Sequence, residues 1–433
     1  MDNKTHINKK NRIFSKMAFG LVVGLLLTGV KSIAGFSNYN SILIGDLSAG
    51  MGGAATAVVG DSSGSAFYNP ATLAQLEGDS FSAAVGIYKK FDTVFGENED
   101  FTKAPLRVNQ GYFRSLPAST GNVLRLGKYN VALSILVPDF EEFKGDLKKQ
   151  DENATTLSVT DESLWVGAGV AQSISETESA GVSAYYTARS FSRSLNDRTY
   201  PSATRAQLYT EEKTLVENAV LFIFGYYKKL SDKAALGLSL RSPAVKIASH
   251  ANVFRSNTTV DTSVPSMTRP TENYPDEGSR VVIPGKLAIG LSYQQDPTLL
   301  WAADVSLHEG ISYIDIINES IGSRVDHKSV WNAAIGVEKA FRDWLKVRIG
   351  AYTNFSSHHE PNPDFQQLQE DKVDMLGFSA NVVFIAGKKI SYTFGGYYTG
   401  GRGRSIQRIQ QQYEIVTKNQ NVFTMLVGTA FHF

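Results

Sequence analysis

The chain has 433 residues, of which 20% are charged, with a formal net charge of +1 and no cysteine. A balance this close to zero gives no footing for nucleic acid, and the missing cysteine excludes both a disulfide framework and a lipid-modified N-terminus. Phe and Tyr number 24 and 19 and Gly 37, while hydrophobic residues make up only 42%, a mixture that favours a β-barrel over a bundle of apolar helices.

The first segment carries Lys4, Lys9, Lys10, Arg12 and Lys16, followed by an apolar run at 17–30 and the small-x-small step Ser32-Ile33-Ala34. That run falls short of the ~20 residues a spanning helix needs, so 1–34 reads as a signal peptide cut after Ala34; a retained anchor is the alternative. Its removal takes away six basic residues and Asp2, which moves the formal charge from +1 to −4.

Residues 45–76 follow neither a period of two nor one of 3.6. Gly50, Gly52, Gly53, Gly60 and Gly64 permit turns and close backbone approach, and Pro70 fixes one φ and lacks a donor. Such a stretch is expected to be neither a normal helix nor a normal strand, and to pack inside something larger.

With its glycine-rich opening, the Asp61-Ser62 step and the Tyr68-Asn69-Pro70-Ala71 signature ahead of strands, the stretch resembles the FadL family of outer-membrane transporters for fatty acids and other hydrophobic compounds. Met51-Gly52-Gly53-Ala54 is also similar to PorV-type barrels of type nine secretion. The resemblance implies an N-terminal hatch at 35–78 inside a barrel at 79–433, ligand access from outside through loop grooves, and lateral release into the membrane after a hatch shift. Onto this chain it carries Gly52, Gly53, Asp61, Asn69, Pro70 and Ala71 as hatch residues. The polar segments 139–162 and 355–373 depart from what ligand grooves on a fatty-acid transporter would show.

From Ser80 onward a period-two pattern bounded by turn chemistry predicts strands near 80–91, 106–115, 129–138, 163–174, 179–192, 214–229, 234–247, 281–294, 299–312, 328–340, 344–354, 374–385, 390–401 and 421–433. That makes fourteen. Short turns alternate with long polar segments, only 116–128 being longer on the short side, which is the mark of an outer-membrane barrel with both termini on the periplasmic side. A soluble β-sandwich is the competing reading.

The faces agree with a barrel. Leu299, Trp301, Ala303, Val305 and Leu307 alternate with Ala302, Asp304, Ser306 and His308, and Leu345, Val347, Ile349 and Ala351 with Lys346, Arg348, Gly350 and Tyr352. A Lys or Arg facing lipid costs ~2–4 kcal/mol at the midplane, so the charged faces belong to the lumen. The last strand places Phe423, Met425, Val427, Thr429, Phe431 and Phe433 on one side and resembles the terminal signal read by barrel-assembly machinery.

Candidate chemistry is sparse. Gly60-Asp61-Ser62-Ser63-Gly64 superficially resembles a nucleophile loop, but no His is near it in sequence, and His358-His359-Glu360 would converge poorly on a metal. For transport, the relevant groups are lumen cations that hold an anionic head. If the hairpin turns at Phe341-Arg342, Glu338 opposes Lys346 as a structural ion pair and Arg348 opposes Gly336 without a partner. Arg348, with Lys346 and Asp304, is therefore the expected ligand site, a salt bridge of Arg348 to Asp304 being the alternative.

The reading is an all-β, fourteen-stranded antiparallel transmembrane barrel with an N-terminal hatch, in the outer membrane of a diderm bacterium, passing hydrophobic small molecules such as fatty acids. A PorV-like scaffold for a surface-protein system and a lipid-modifying enzyme are the alternatives. Expected partners are membrane lipid, the hydrophobic ligand and, through Phe433, barrel-assembly machinery. No cofactor, metal or nucleic acid is expected.

Overall fold

The computed structural model describes residues 37–95, 106–108, 114–148, 154–263, 266–281, 283–318, 324–362, 371–387, 389–409 and 412–433. The expected signal peptide lies outside them.

Fourteen strands close one antiparallel ring: β1 (Ser80–Phe95), β2 (Arg114–Leu126), β3 (Tyr129–Lys148), β4 (Ala154–Ser173), β5 (Glu178–Ser202), β6 (Arg205–Lys229), β7 (Ala234–Arg241), β8 (Lys286–Asp296), β9 (Leu299–His308), β10 (Val330–Arg342), β11 (Leu345–Asn354), β12 (Lys372–Ala386), β13 (Ile390–Ile409) and β14 (Gln412–His432). β14 pairs with β1 from Ser80↔His432 upward, so the sheet ends on itself and no edge is left in hydrocarbon.

The alternation is physical. On β9, Trp301 and Val305 are 42% and 48% exposed, while Ala302, Asp304, Ser306 and His308 are buried. Ile349 of β11 and Met425 and Val427 of β14 likewise face outward, with Arg348 and Tyr352 inside. Exposed Leu133, Ile135, Leu164, Ile289, Leu291, Ile335 and Phe394 extend this apolar belt around the ring. Tyr129, Trp301, Trp344 and Tyr392 line its turn side, and Trp331, Phe378 and Tyr398 its far side. An apolar band between aromatic rows is what a bilayer requires of a barrel.

Several expected boundaries move. The second wall strand is not 106–115 but Arg114–Leu126, and the long turn expected at 116–128 shrinks to Gly127 and Lys128. Pro117 looked like a turn residue; it sits instead at a bulge, where Ala84 pairs with Ser119 and Val85 with Pro117. Leu106–Val108 is a short strand against Thr93–Phe95 outside the main ladder.

The wall strand expected at 234–247 ends at Arg241. Beyond Ser242-Pro243-Ala244, Val245–Asp261 stays paired with β6 but leaves β8, whose pairing with β7 stops at Arg241↔Lys286. The polar stretches expected as loops at 139–162, 193–213 and 402–420 are mostly strand, because β3 to β6 and β13 and β14 continue past the apolar belt. There the outer face meets water while the inner face buries charged side chains such as Arg189, Glu211 and Lys213, so the backbone ladder persists after the simple apolar–polar alternation has ended.

Residues 45–76 cross the middle of the ring. Expected to be neither helix nor strand, they contain two short helices, α1 (Asp46–Gly50) and α2 (Ser62–Tyr68), and a 3-10 turn, Pro70–Gln75. Each is too short for a helical period to register in sequence. Asp61 caps α2 by accepting from Gly64 N at 2.5 Å, and Asn69 caps the 3-10 turn by accepting from Ala71 N at 3.1 Å.

Wall side chains grip this plug on every side. Asn381 Nδ2 donates to Asp46 O (2.7 Å), Ser379 Oγ to Gly50 O (3.0 Å), Ser292 Oγ to Ala57 O (2.8 Å), Ser179 Oγ to Ala71 O (2.9 Å) and Asn130 Nδ2 to Leu73 O (2.6 Å). Close approach is possible because lumen glycines oppose one another across strands, as Gly181↔Gly225, Gly237↔Gly290 and Gly336↔Gly350. A Cβ at Gly181 would lie 2.5 Å from Pro70 O, and one at Gly350 2.2 Å from Gly52 N.

Candidate functional site

The expected ligand residues belong to the plug's anchorage. The β10–β11 hairpin turns at Asp343-Trp344, two residues later than expected, with a bulge between Ala340 and Arg342. Glu338 therefore faces Arg348, and Ala340 faces Lys346. Arg348 is not without a partner: its Nε donates to Glu338 Oε2 at 2.6 Å and its Nη1 lies 3.5 Å from Asp46 Oδ2 of the plug. Lys346 Nζ reaches Glu338 Oε1 diagonally at 3.0 Å. Asp304 Oδ2 accepts from Ala55 N (2.9 Å), Thr56 N (2.8 Å) and Thr56 Oγ1 (2.7 Å).

The motif residues have local duties. Gly52 and Gly53 take φ of 68° and 84°, the left-handed region in which a side chain is strained. Asn69 Nδ2 ties the plug to itself at Thr56 O (2.7 Å) and to the wall at Tyr226 O (3.0 Å). Pro70 opens the 3-10 turn, where no donor is needed, and Ala71 is fully buried. Ser62 Oγ bonds Ser82 Oγ (2.8 Å) and Gly121 O (2.9 Å), a wall anchor. His358 Nδ1 meets Asp371 O at 2.8 Å, His359 Nε2 lies 3.7 Å from Asp326, and among the described residues no group of three metal-type side chains converges.

A cavity lies above the plug, on the side of the strand extensions. Tyr39, Ile42, Phe67, Tyr68, Pro138 and Pro284 give it apolar walls, and Arg189, Arg241, Lys286, His308 and Asp139 give it charge and polarity. Arg189 is held by Asp161, whose Oδ1 takes its Nε at 2.7 Å. Arg241, the last residue of β7, is buried with its guanidinium 5.6 Å from the Trp165 ring centroid. Its Nη2 donates to Pro284 O at 3.2 Å, and its Nε has no hydrogen-bond partner among the described residues. Lys286 Nζ sits 5.9 Å from the Tyr68 ring centroid. His308 Nδ1 is likewise buried without a hydrogen bond.

With Arg189 matched by Asp161, Arg241 has Asp139 as its carboxylate neighbour and Lys286 has Asp304, so what stays unmet among the described residues is the Nε donor of Arg241. A buried cation donor without an acceptor costs ~1–3 kcal/mol or more, so the cavity favours an anionic guest that arrives with its own oxygens.

The cavity is nearly closed. Its volume is about 30 Å³, room for a few waters at most. A strap at 37–44 fills it: Tyr39 stacks on His308 at 4.5 Å and bonds His327 Nδ1 at 3.2 Å. Asn38 Nδ2 donates to Asn354 O (2.7 Å) and Val373 O (3.0 Å), and Asn40 N to Asn354 Oδ1 (2.9 Å). Burial pushes the Tyr68 phenol up, which keeps it neutral, and its oxygen accepts from Ile44 N at 3.2 Å.

Sequence reading missed Arg241, Lys286, His308 and Tyr39. A usable signal existed in Arg241-Ser242-Pro243 and Pro284-Gly285-Lys286, where prolines end strands just beside lumen cations.

The fold matches solved structures over most of the chain. A FadL homologue of Pseudomonas aeruginosa superposes with a TM-score of 0.65 at 13% identity, covering 93% of this chain and 100% of that one. The Pseudomonas putida toluene transporter TodX gives 0.63 at 14% identity, covering 91% and 99%. The Ralstonia pickettii toluene transporter TbuX gives 0.55 at 15%, covering 90% and 100%. No family model matches the sequence, and no curated protein matches it. The chain thus has the FadL-type fold, a closed barrel around an N-terminal plug.

Proposed function

We propose that this barrel is an outer-membrane channel that admits amphipathic hydrophobic compounds with an anionic head, of which long-chain fatty acids are the simplest class. The expected leader, the apolar belt and the contrast between two- to four-residue turns and tall strand extensions support an outer-membrane setting. The fold's solved neighbours include toluene transporters and a monoaromatic hydrocarbon channel. One observation carries the choice of an anionic head: buried Arg241, stacked on Trp165 with its Nε unsatisfied, beside Lys286. A neutral hydrocarbon would leave that donor unmet.

In this reading the head group lies between Arg241 and Lys286 and the tail runs along Ile42, Phe67 and Pro138. The strap must move to make room. The plug behind it, tied to the wall all round, serves as the floor of the site, and the chain before it, 1–34, is removed on export. Exposed Phe433 presents the C-terminal end that assembly machinery would read.

The test compares radiolabelled oleate with toluene on the purified protein. Arg241→Ala should weaken oleate binding by about 10- to 100-fold, the loss of one charge-assisted contact worth ~1.5–3 kcal/mol. Toluene binding should not fall. Equal oleate affinity in the variant would end the proposal, and absence of any binding to the wild type would favour a scaffold role.

A further inference from the structure

We propose that Asp61, beside Asp46, is a proton-operated latch on the plug: with a proton on Asp61 the buried cluster is neutral and holds α1 and α2 in place, and losing that proton loosens them. The latch is independent of which compound passes.

The cluster is assembled from five elements. Asp46 opens α1, and its Oδ2 accepts from Thr393 Oγ1 of β13 at 2.6 Å. Asp61 caps α2, accepting on Oδ1 from Gly64 N (2.5 Å) and Ser63 Oγ (2.9 Å) and on Oδ2 from Leu47 N (3.3 Å). A Cβ on Gly45 would lie 2.5 Å from Asp61 Oδ2, so this carboxylate presses on the residue preceding Asp46. From the wall, Glu338 of β10 meets Arg348 and Lys346 of β11, and Arg348 Nη1 reaches Asp46 without a hydrogen bond.

Asp46, Asp61 and Arg348 are 7%, 9% and 6% exposed. Three carboxylates therefore face two cations in a site with little water to screen the excess. One proton restores neutrality. Among the described residues the other groups around the two aspartates carry no formal charge: Asn381 on β12, Thr393 on β13, Gly428 on β14, Ser119 on β2 and Tyr68 on α2.

Asp61 is the member that takes the proton. Burial first, and then Asp46, raise its carboxyl from 3.8 to about 6, against the lowering by its hydrogen bonds from Gly64, Ser63 and Leu47. A released plug would return it to water and its ordinary range. The seated state thus binds the proton more tightly than the released state. Its advantage is greatest in acid, falls as pH rises toward about 6, and changes little beyond.

Amide hydrogen exchange of the full-length barrel in nanodiscs, corrected for intrinsic rates, tests the latch without any ligand. Between about pH 5 and about pH 7.5, opening of α1 and α2 should increase about tenfold while strand amides keep their protection. Asp61→Asn keeps a competent N-cap and should abolish the pH dependence. An unchanged pH dependence in that variant, or none in the wild type, would overturn the proposal. Should the variant fail to assemble, the ¹³C carboxyl signal of Asp61 in the wild type decides: a midpoint near 6 supports the latch, and one in the ordinary aspartate range refutes it.

Discussion

Gly237 and Thr56 are in backbone contact: a Cβ built on Gly237 of β7 would stand 1.9 Å from the Thr56 carbonyl oxygen. Thr56 is also bonded through its N and Oγ1 to Asp304 on β9. The plug and the wall therefore share one packed surface, and disturbing either should be felt by both.

Gly237→Ala should shift the plug, since neither backbone can yield locally. Overpacking of this kind costs ~1–3 kcal/mol. A lowered unfolding temperature together with raised ion leakage in planar bilayers is the expected result, whereas leakage at the wild-type level would mean that the contact is slack.

Asp304→Ala should destabilise more than an exposed change such as Asp296→Ala. Three plug donors lose their acceptor at once, at ~1–3 kcal/mol for each that stays buried and unmet. Thermal unfolding followed by heat-modifiable gel mobility measures the difference.

Arg348→Ala separates anchorage from ligand binding. Removing it leaves Asp46 without its cation and Glu338 with Lys346 alone, and breaking a buried pair costs ~3–5 kcal/mol. Stability should drop, yet oleate affinity of the folded fraction should stay within a factor of about two, because Arg348 lies at the plug and not in the Arg241 cavity.

Much of the fold was legible because hydrocarbon imposes a simple rule. Outside faces must be apolar, so strands such as Leu299–His308 and the last one, ending at His432, announce themselves. Legibility ended where the rule lapsed. Above the belt, the far parts of Ala154–Ser173 and Glu178–Ser202 keep pairing while charged and polar residues replace the apolar outer face, and Pro117 hides a bulge inside a strand. A turn two residues later than expected, with Phe341 in a bulge, reset the β10–β11 register and gave Arg348 the partner it was expected to lack. The cavity was illegible for another reason: Tyr39, Trp165, Arg241 and His308 are far apart in sequence and meet only when the ring closes.

Tyr39→Ala should ease access to the cavity. The stack on His308 and the bond to His327 hold the strap closed by ~1 kcal/mol, so its loss should tighten apparent oleate binding about fivefold. Faster association in stopped-flow measurements with unchanged dissociation is the expected signature, and slower association would show that Tyr39 instead helps to seat the ligand.

The central claim is that a head group sits at Arg241. Crystals grown with a terminally brominated fatty acid would locate both of its ends, the bromine by anomalous scattering and the carboxylate by density. The account expects the carboxylate within hydrogen-bonding distance of Arg241 Nε and Lys286 Nζ, with the bromine beside the strap inside the ring. Carboxylate density at Arg348, or bromine found only on the outer belt, would contradict it.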